Sequence, residues 1–301
     1  MWSKIGAGCV KILLMDDSLA IKEILTRSVE NIIPSREEFE KALRSGKKLK
    51  IYLGVDATGQ HLHLGHLTNL LWLRRMQDLG HKVIFLIGDF TGRIGDPTDK
   101  MTERERLTEK QIEKNMRTFK EQVSCIISLS GKNQAQIRFN SEWYKKMTFE
   151  KFMNLLGYFS VQNLLGRPSF KERIEGDRLG LLGFIYPLLQ GYDGVVLDVD
   201  VEVGGNDQTF NMSIGRALRK AHSKKGTKPR TKEGEKFFVA TTLLVNPKTD
   251  KKLMNKSEGG LINLDDSPQD IFGKVMALND DSMLAVAEYC TRLPMERIEG
   301  L

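Results

Sequence analysis

Lys50–Ile87 reads KIYLGVDATGQHLHLGHLTNLLWLRRMQDLGHKVIFLI. Lys50–Val55 is a short run rich in β-branched and aromatic residues, the pattern of a buried strand. Leu62–Leu79 then sets Leu64, Leu67, Leu70, Leu71, Leu73 and Met76 at close to helical spacing and stops at Gly80. Lys82–Ile87 is a second strand. Strand, helix and strand in succession predict a parallel sheet with crossover helices. In such sheets ligands bind beyond the carboxyl ends of the strands, where loops meet helix N-termini. The loops at 56–66 and 88–100 are therefore the first places to look for chemistry.

On the N-terminal side, residues 17–45 predict helices interrupted at Pro34, with Ser35 capping the second. On the C-terminal side, Thr102–Val123 predicts a charged amphipathic helix and Ile137–Phe139 a short strand. Tyr186–Tyr192 predicts a helix, Val195–Val203 a strand ending at Gly204-Gly205, and Val239–Val245 another strand. From Pro268 the pattern is helical again and looks like the start of a separate helical unit. There is no internal repeat and no low-complexity tract.

The 301 residues suit one large domain or two modest ones, and 40 % apolar with 28 % charged residues excludes wholesale disorder. The net charge is +7, and Arg219–Lys236 alone holds eight Lys/Arg against two Glu. Such a stretch suits either a polyanionic partner or a solvated basic loop. Cys9, Cys125 and Cys290 are odd in number and far apart, which argues against a disulfide framework or a zinc site and for a reducing compartment. The first residues lack the uninterrupted apolar core of a signal peptide, and no segment offers the apolar run needed to cross a bilayer. The expectation is a soluble, cytoplasmic protein.

Four stretches carry candidate chemistry. His63-Leu64-Gly65-His66 opens a helix. Two imidazoles there make an anion site, with the helix dipole favouring negative charge and Gly65 admitting a phosphate or another chain atom. A purely capping role suits them as well. Lys252-Leu253-Met254-Asn255-Lys256-Ser257, followed by Gly259-Gly260, offers lysines that can close on a triphosphate as point charges, or a solvated loop. YPLLQGYD puts polar groups at Tyr186, Gln190 and Asp193, one helical turn apart. GGNDQ gives Gly204 and Gly205 for close backbone approach and Asp207 for a ribose hydroxyl pair.

Taken in order, DAT at the end of the first strand, HLGH, GDFTGRIGDPT, YPLLQGYD, VGGNDQ and the KLMNKS loop resemble the class I aminoacyl-tRNA synthetases. Among them the match is to the bacterial-type tyrosyl-tRNA synthetases, from about Leu25 to the end of the chain. The resemblance implies that tyrosine and ATP condense to tyrosyl-adenylate and pyrophosphate, and that tyrosine then passes to the 3′ end of tRNA(Tyr). In-line attack at the α-phosphate needs positioning and charge stabilisation more than a general base. His63 and His66 match the HIGH signature and are implied to stabilise the phosphoryl transition state, with Thr58 beside them. Lys256 matches the second lysine of KMSKS. Leu253 stands where the first lysine is usual, leaving Lys252 to substitute, and Asn255 replaces a serine. Lys100 and Arg104 match a loop that closes over pyrophosphate.

The resemblance further implies that Gly54, Asp56, Gly205 and Asp207 contact nucleotide and ribose, and that Leu244 and Val245 line the adenine site. Tyr52 and Asp193 match the pair that hydrogen-bonds the tyrosine hydroxyl. Asp96, Tyr186 and Gln190 match the group that holds its ammonium, with Gln208 nearby. A phenol-reading pair rejects phenylalanine because its own polar groups would be left unpaired.

The implied fold class is α/β: a Rossmann-like parallel sheet with a helical insertion and the start of an α-helical C-terminal domain. The implied organisation is an N-terminal helical segment (1–49) and a catalytic domain (50–246) carrying an insertion at about 124–185. A KMSKS-like loop and linker (247–264) and the beginning of an anticodon-binding domain (265–301) follow, with the rest of that domain expected to be missing. ATP enters as substrate with Mg2+, without a dedicated protein metal site. A homodimer through the insertion is implied, where Phe149–Leu165 is rich in Phe, Met and Leu; a buried amphipathic helix explains that composition equally well. Two other readings stay open. One is an HxGH nucleotidyltransferase making a different adenylate, which needs neither Tyr52 and Asp193 nor the Lys256 loop. The other is an RNA-binding protein derived from a synthetase, against which intact His63, His66, Asp96 and Asp193 count.

Overall fold

The computed structural model describes residues 17–96, 106–166, 170, 180–223, 236–254 and 260–300. The chain enters through helix α1 (Asp17–Thr26), strand β1 (Val29–Ile33) and helix α2 (Arg36–Arg44). Ser35 caps α2 by accepting the Glu38 N–H at 3.2 Å, as its sequence predicts. Strand β1 departs from the all-helical expectation for 17–45. Val29, Ile32 and Ile33 are β-branched, and the strand finds a partner far along the chain, which local periodicity cannot register. Pro34 follows immediately, at an edge where a missing N–H is tolerated.

Strand β2 (Lys50–Asp56), helix α3 (Leu64–Asp78) and strand β3 (Lys82–Gly88) realise the central pattern. Trp72 on α3 is fully buried and its indole N–H donates to Ile24 O at 3.0 Å. Helices α4 (Glu109–Met116) and α5 (Phe119–Ser124) replace the single helix predicted for 102–123, with a break at Arg117-Thr118; residues 102–105 lie outside the described residues. Strand β4 (Gln136–Phe139) and short helices α6 (Ser141–Tyr144), α7 (Phe149–Leu156) and α8 (Val161–Leu165) come next.

Helix α9 (Leu181–Val196) absorbs the first residues of the strand predicted for 195–203. An apolar run of that length reads as either element, and Asp198, at φ +48°, then turns the chain into strand β5 (Val201–Gly205). Helix α10 (Thr209–Ser223) and strand β6 (Phe237–Thr241) complete the sheet. Strand β6 stops where its neighbour stops, at the Gly205↔Thr241 pair, so residues 242–245 leave the sheet instead of extending it. Helices α11 (Pro268–Met276), α12 (Asp280–Cys290) and α13 (Met295–Ile298) follow.

The strand order is β1-β6-β5-β2-β3-β4, and β1 alone runs antiparallel, so the sheet is mixed. Alternation along β2 and β3 splits the core. Ile51, Leu53, Val83 and Phe85 join Phe39, Trp72 and Phe119 on one face. Tyr52, Ile84 and Leu86 join Tyr144, Leu188, Leu189 and Leu218 on the other. The chain proceeds from β2 outward through β3 and β4, and returns to the opposite side for β5 and β6. The carboxyl ends of β2 and β5 therefore flank a topological switch point, where α/β sheets open a crevice.

Candidate active site

A cleft of about 680 Å³ occupies that switch point. At its mouth His63 is the N-cap of α3 and His66 its third helical residue. His66 Nδ1 accepts the His63 N–H at 3.1 Å, while His63 Nδ1 accepts the Gly65 N–H at 3.2 Å. With both Nδ1 atoms accepting, the hydrogen-bond network assigns each neutral ring its proton at Nε2. The capping reading and the anion-site reading are thus compatible: the cap itself orients the rings, which lie 4.0 Å apart. Gly65 is needed for this arrangement, because a Cβ there would stand 3.1 Å from the folded-back His63 ring. The His63 segment is braced by chain beyond the lysine loop, with Leu64 N–H donating to Ile262 O at 3.1 Å and Leu264 N–H to Leu62 O at 2.7 Å. Buried Met254 and Ile262 pack with Leu64, so both flanks of 255–259 are anchored at the start of α3.

On the floor, Asp56 uses both carboxylate oxygens. Thr91 Oγ1 donates to Oδ1 at 2.6 Å, and the Tyr186 hydroxyl donates to Oδ2 at 2.8 Å. Burial, then the charges of Asp56 and Asp96, push the Tyr186 phenol well above its ordinary range and keep it a donor. Across the cleft Lys252 Nζ lies 2.6 Å from Asp207 Oδ2. The backbone of Lys252 bridges to Val245, which fixes where its side chain starts.

Beneath them Asp193 is buried between Trp143 Nε1, at 2.9 Å from Oδ1, and Asn140 Nδ2, at 3.2 Å from Oδ2. Burial pushes its carboxyl up to about 8, against the downward pull of hydrogen bonds from Tyr144, Asn140 and Trp143. The Tyr52 hydroxyl donates to Gln190 O at 3.4 Å, and burial raises its phenol well above the ordinary range, with Glu202 and Asp193 adding to the effect. Asp96 Oδ2 accepts Gln208 Nε2 at 2.7 Å, and Gln190 Oε1 accepts Asn211 Nδ2 at 2.8 Å.

Tyr52, Gly54, Asp56, Thr58, His63 and His66 all line the cleft, as do Asp96, Tyr186, Gln190 and Asp193. So do Gly205, Asp207, Gln208, Leu244 and Lys252. Val245 does not: it pairs with Lys252, and Leu243 lines the cleft beside Leu244. Lys100, Arg104 and Lys256 lie outside the described residues. Asn140, Trp143, Glu202 and Asn211 carry no motif of their own and become visible only once the fold brings them against Asp193 and Gln190. The basic stretch also changes meaning. Lys236 is buried against Glu202 and Arg219 pairs with Asp198 at 2.5 Å, so two of its charges are neutralised within the fold. Among the described residues no helix is long and apolar enough to cross a membrane.

The chain is 40 % identical over 283 residues to the tyrosine--tRNA ligase of Moorella thermoacetica, covering 92 % of this chain and 65 % of that protein. It is 41 % identical over 281 residues to tyrosine--tRNA ligase 2 of Vibrio parahaemolyticus, covering 93 % and 67 %. The chain thus spans about two thirds of the length of these curated relatives, and less than that of the first. The C-terminally truncated mitochondrial tyrosyl-tRNA synthetase of Aspergillus nidulans shares the fold, with a TM-score of 0.77 at 23 % identity over 95 % of this chain and 82 % of that one. Tyrosyl-tRNA synthetase of Archaeoglobus fulgidus, complexed with L-tyrosine, does so at a TM-score of 0.67 and 21 % identity over 91 % and 81 %. Residues 44–301 match the family described as tRNA synthetases class I (W and Y), and the chain belongs to that family.

Proposed function

We propose that the chain is a tyrosine--tRNA ligase. It joins tyrosine to ATP as tyrosyl-adenylate with release of pyrophosphate, and passes the tyrosyl group to the 3′ end of tRNA(Tyr). One observation carries this reading: a single cleft is lined at its mouth by the oriented His63–His66 pair and at its floor by Tyr52 and Asp193. The Nε2–H groups of the two imidazoles suit negative charge that builds on a phosphoryl group during in-line attack. Tyr52 and Asp193 suit a phenol, and a bound phenylalanine, lacking the hydroxyl, forfeits the hydrogen bonds they offer it. Asp96, Tyr186 and Gln190 suit the amino group, with Gln208 beside them. Gly54, Asp56, Gly205, Asp207 and Leu244 suit the nucleotide, with Lys252 over the ribose side. Lys100, Arg104 and Lys256 enter by resemblance alone.

ATP brings Mg2+ as part of the substrate. The exposed side chains of Phe149, Met153, Val161 and Leu181 support a homodimer through this region, and light scattering of the purified chain tests it. A cytoplasmic location fits the charge and cysteine usage. The deciding experiment is tyrosine-dependent exchange of labelled pyrophosphate into ATP. Exchange with tyrosine and not phenylalanine is expected; no exchange from folded protein, or equal exchange with both amino acids, overturns the proposal.

A further inference from the structure

Behind the cleft floor sits an ion pair that the chemistry above does not use. Glu202 on β5 and Lys236 at the start of β6 have side chains 2 % and 1 % exposed, and Lys236 Nζ is bonded directly to Glu202 Oε2. The ammonium also lies 5.3 Å from the centroid of the Tyr52 ring. Room for it is made by glycines where α9 crosses α10. A Cβ on Gly194 would collide with Lys236 Nζ. One on Gly215 would stand 3.0 Å from Nζ and 3.1 Å from Glu202 Oε2, and one on Gly191 would meet the Gly215 backbone at 2.9 Å. Burying a charge pair at a site where neighbouring side chains must be kept small is costly unless the pair is well satisfied.

From Glu202 a line of amides runs to the other end of the amino-acid site. Glu202 Oε1 accepts Gln190 Nε2 at 3.3 Å, and Gln190 Oε1 accepts Asn211 Nδ2 at 2.8 Å. Asn211 Nδ2 also donates to Gln208 Oε1 at 3.0 Å, and Gln208 Nε2 donates to Asp96 Oδ2 at 2.7 Å. Both ends of this relay are carboxylates, and a carboxylate is an acceptor of ammonium. Glu202 holds an ammonium supplied by the chain itself, that of Lys236.

We propose that Lys236 is a positioning residue for the amino-acid substrate. By occupying Glu202 it neutralises the acid at one end of this relay, and leaves Asp96 at the other end to receive the substrate's amino group. The proposal rests on the tyrosine reading and adds to it a determinant of which way the amino acid lies. Two other acids of the floor keep different company: Thr91 and Tyr186 donate to Asp56, and Trp143 and Asn140 donate to Asp193. Without Lys236, Glu202 becomes a decoy for the ammonium. Without Glu202, Lys236 becomes an uncompensated cation under the same pocket.

The test uses the full chain with Lys236→Met, Glu202→Gln and the double variant, each followed by pyrophosphate exchange and thermal melting. Each single variant is expected to raise the KM for tyrosine roughly tenfold or more while the KM for ATP stays within about twofold. The double variant, neutral where the pair was neutral, is expected to bring the tyrosine KM back to within about threefold of the parent. If tyrosine and ATP constants move together in the folded single variants, or tyrosine KM is unchanged, the proposal fails. It fails equally if the double variant is as defective for tyrosine as either single. If neither single folds while the double folds with parental constants, the pair serves stability alone, and the proposal is overturned. A parent that shows no tyrosine-dependent exchange refutes the functional reading and this inference together. A parent that exchanges normally isolates the inference.

Discussion

The indole N–H of Trp143 donates to Asp193 Oδ1 at 2.9 Å, deep under the cleft floor. Burial, the dominant influence on this carboxyl, favours its neutral form and raises it from 3.8 to about 8. The folded state therefore holds a proton that the unfolded chain releases near pH 4. The sign follows: this group's contribution to stability is complete below about pH 4 and is lost as pH rises toward 8. Asp193→Asn cannot ionise. Its melting temperature relative to the parent is expected to climb from pH 4 to pH 8 and level off above, whatever fixed cost the amide brings. A difference that stays flat over that range, measured by thermal scans in matched buffers, contradicts the assignment.

Gly88 closes β3 against Asp56. A Cβ there would overlap Asp56 Oδ1 and stand 2.6 Å from Thr91 Oγ1. Gly88→Ala is expected to push the carboxylate off Thr91 and Tyr186, costing about 1–3 kcal/mol of stability and on the order of 100-fold in exchange rate. Gly273, on α11 with open space around it, is the contrast. Gly273→Ala is expected to be neutral or stabilising by up to about 1 kcal/mol with exchange unchanged. Denaturant titration and exchange rates of the two variants check the pair.

Lys252 and Asp207 face each other at 2.6 Å with side chains 45 % and 25 % exposed. An exposed pair of this kind adds little stability. Lys252→Ala is expected to leave the melting temperature within about 1 °C while raising the KM for ATP roughly tenfold and sparing that for tyrosine. Loss of stability without a change in ATP use would show that the lysine braces the fold and does not serve the nucleotide.

Arg27 ties the C-terminal helices to α1. Its guanidinium, nearly fully buried, donates to the carbonyls of Glu288 at 3.0 Å, Thr291 at 3.0 Å and Leu293 at 2.7 Å, where α12 ends. Arg27→Met keeps the stem and strands those carbonyls. A loss of about 2–4 kcal/mol is expected, with faster proteolysis after α11. Equal stability in urea would reject the tie.

Much of the site is legible in sequence because its residues lie within short motifs. HLGH carries its own geometry: the residues that form the cap are the residues that face the cleft. Tyr186, Gln190 and Asp193 follow from helical spacing, and all three reach the cleft. Strand β1 was hidden because its partner Phe237–Thr241 lies some two hundred residues away. Trp143 and Asn140 were hidden for the same reason, since nothing near them in sequence announces the carboxyl that they hold.

The sequence by itself determined the alternation of elements around Lys50–Ile87, the family, and most of the residues that meet in the cleft. These depend on periodicity and on motifs only a few residues long. Only the tertiary structure decided the antiparallel edge strand, the depth at which Asp193 sits, and the fate of Lys236. A lysine in a basic stretch reads as surface charge. Whether it meets solvent or a buried Glu202 depends on the β5–β6 register and on glycines in two crossing helices, and no local pattern encodes that.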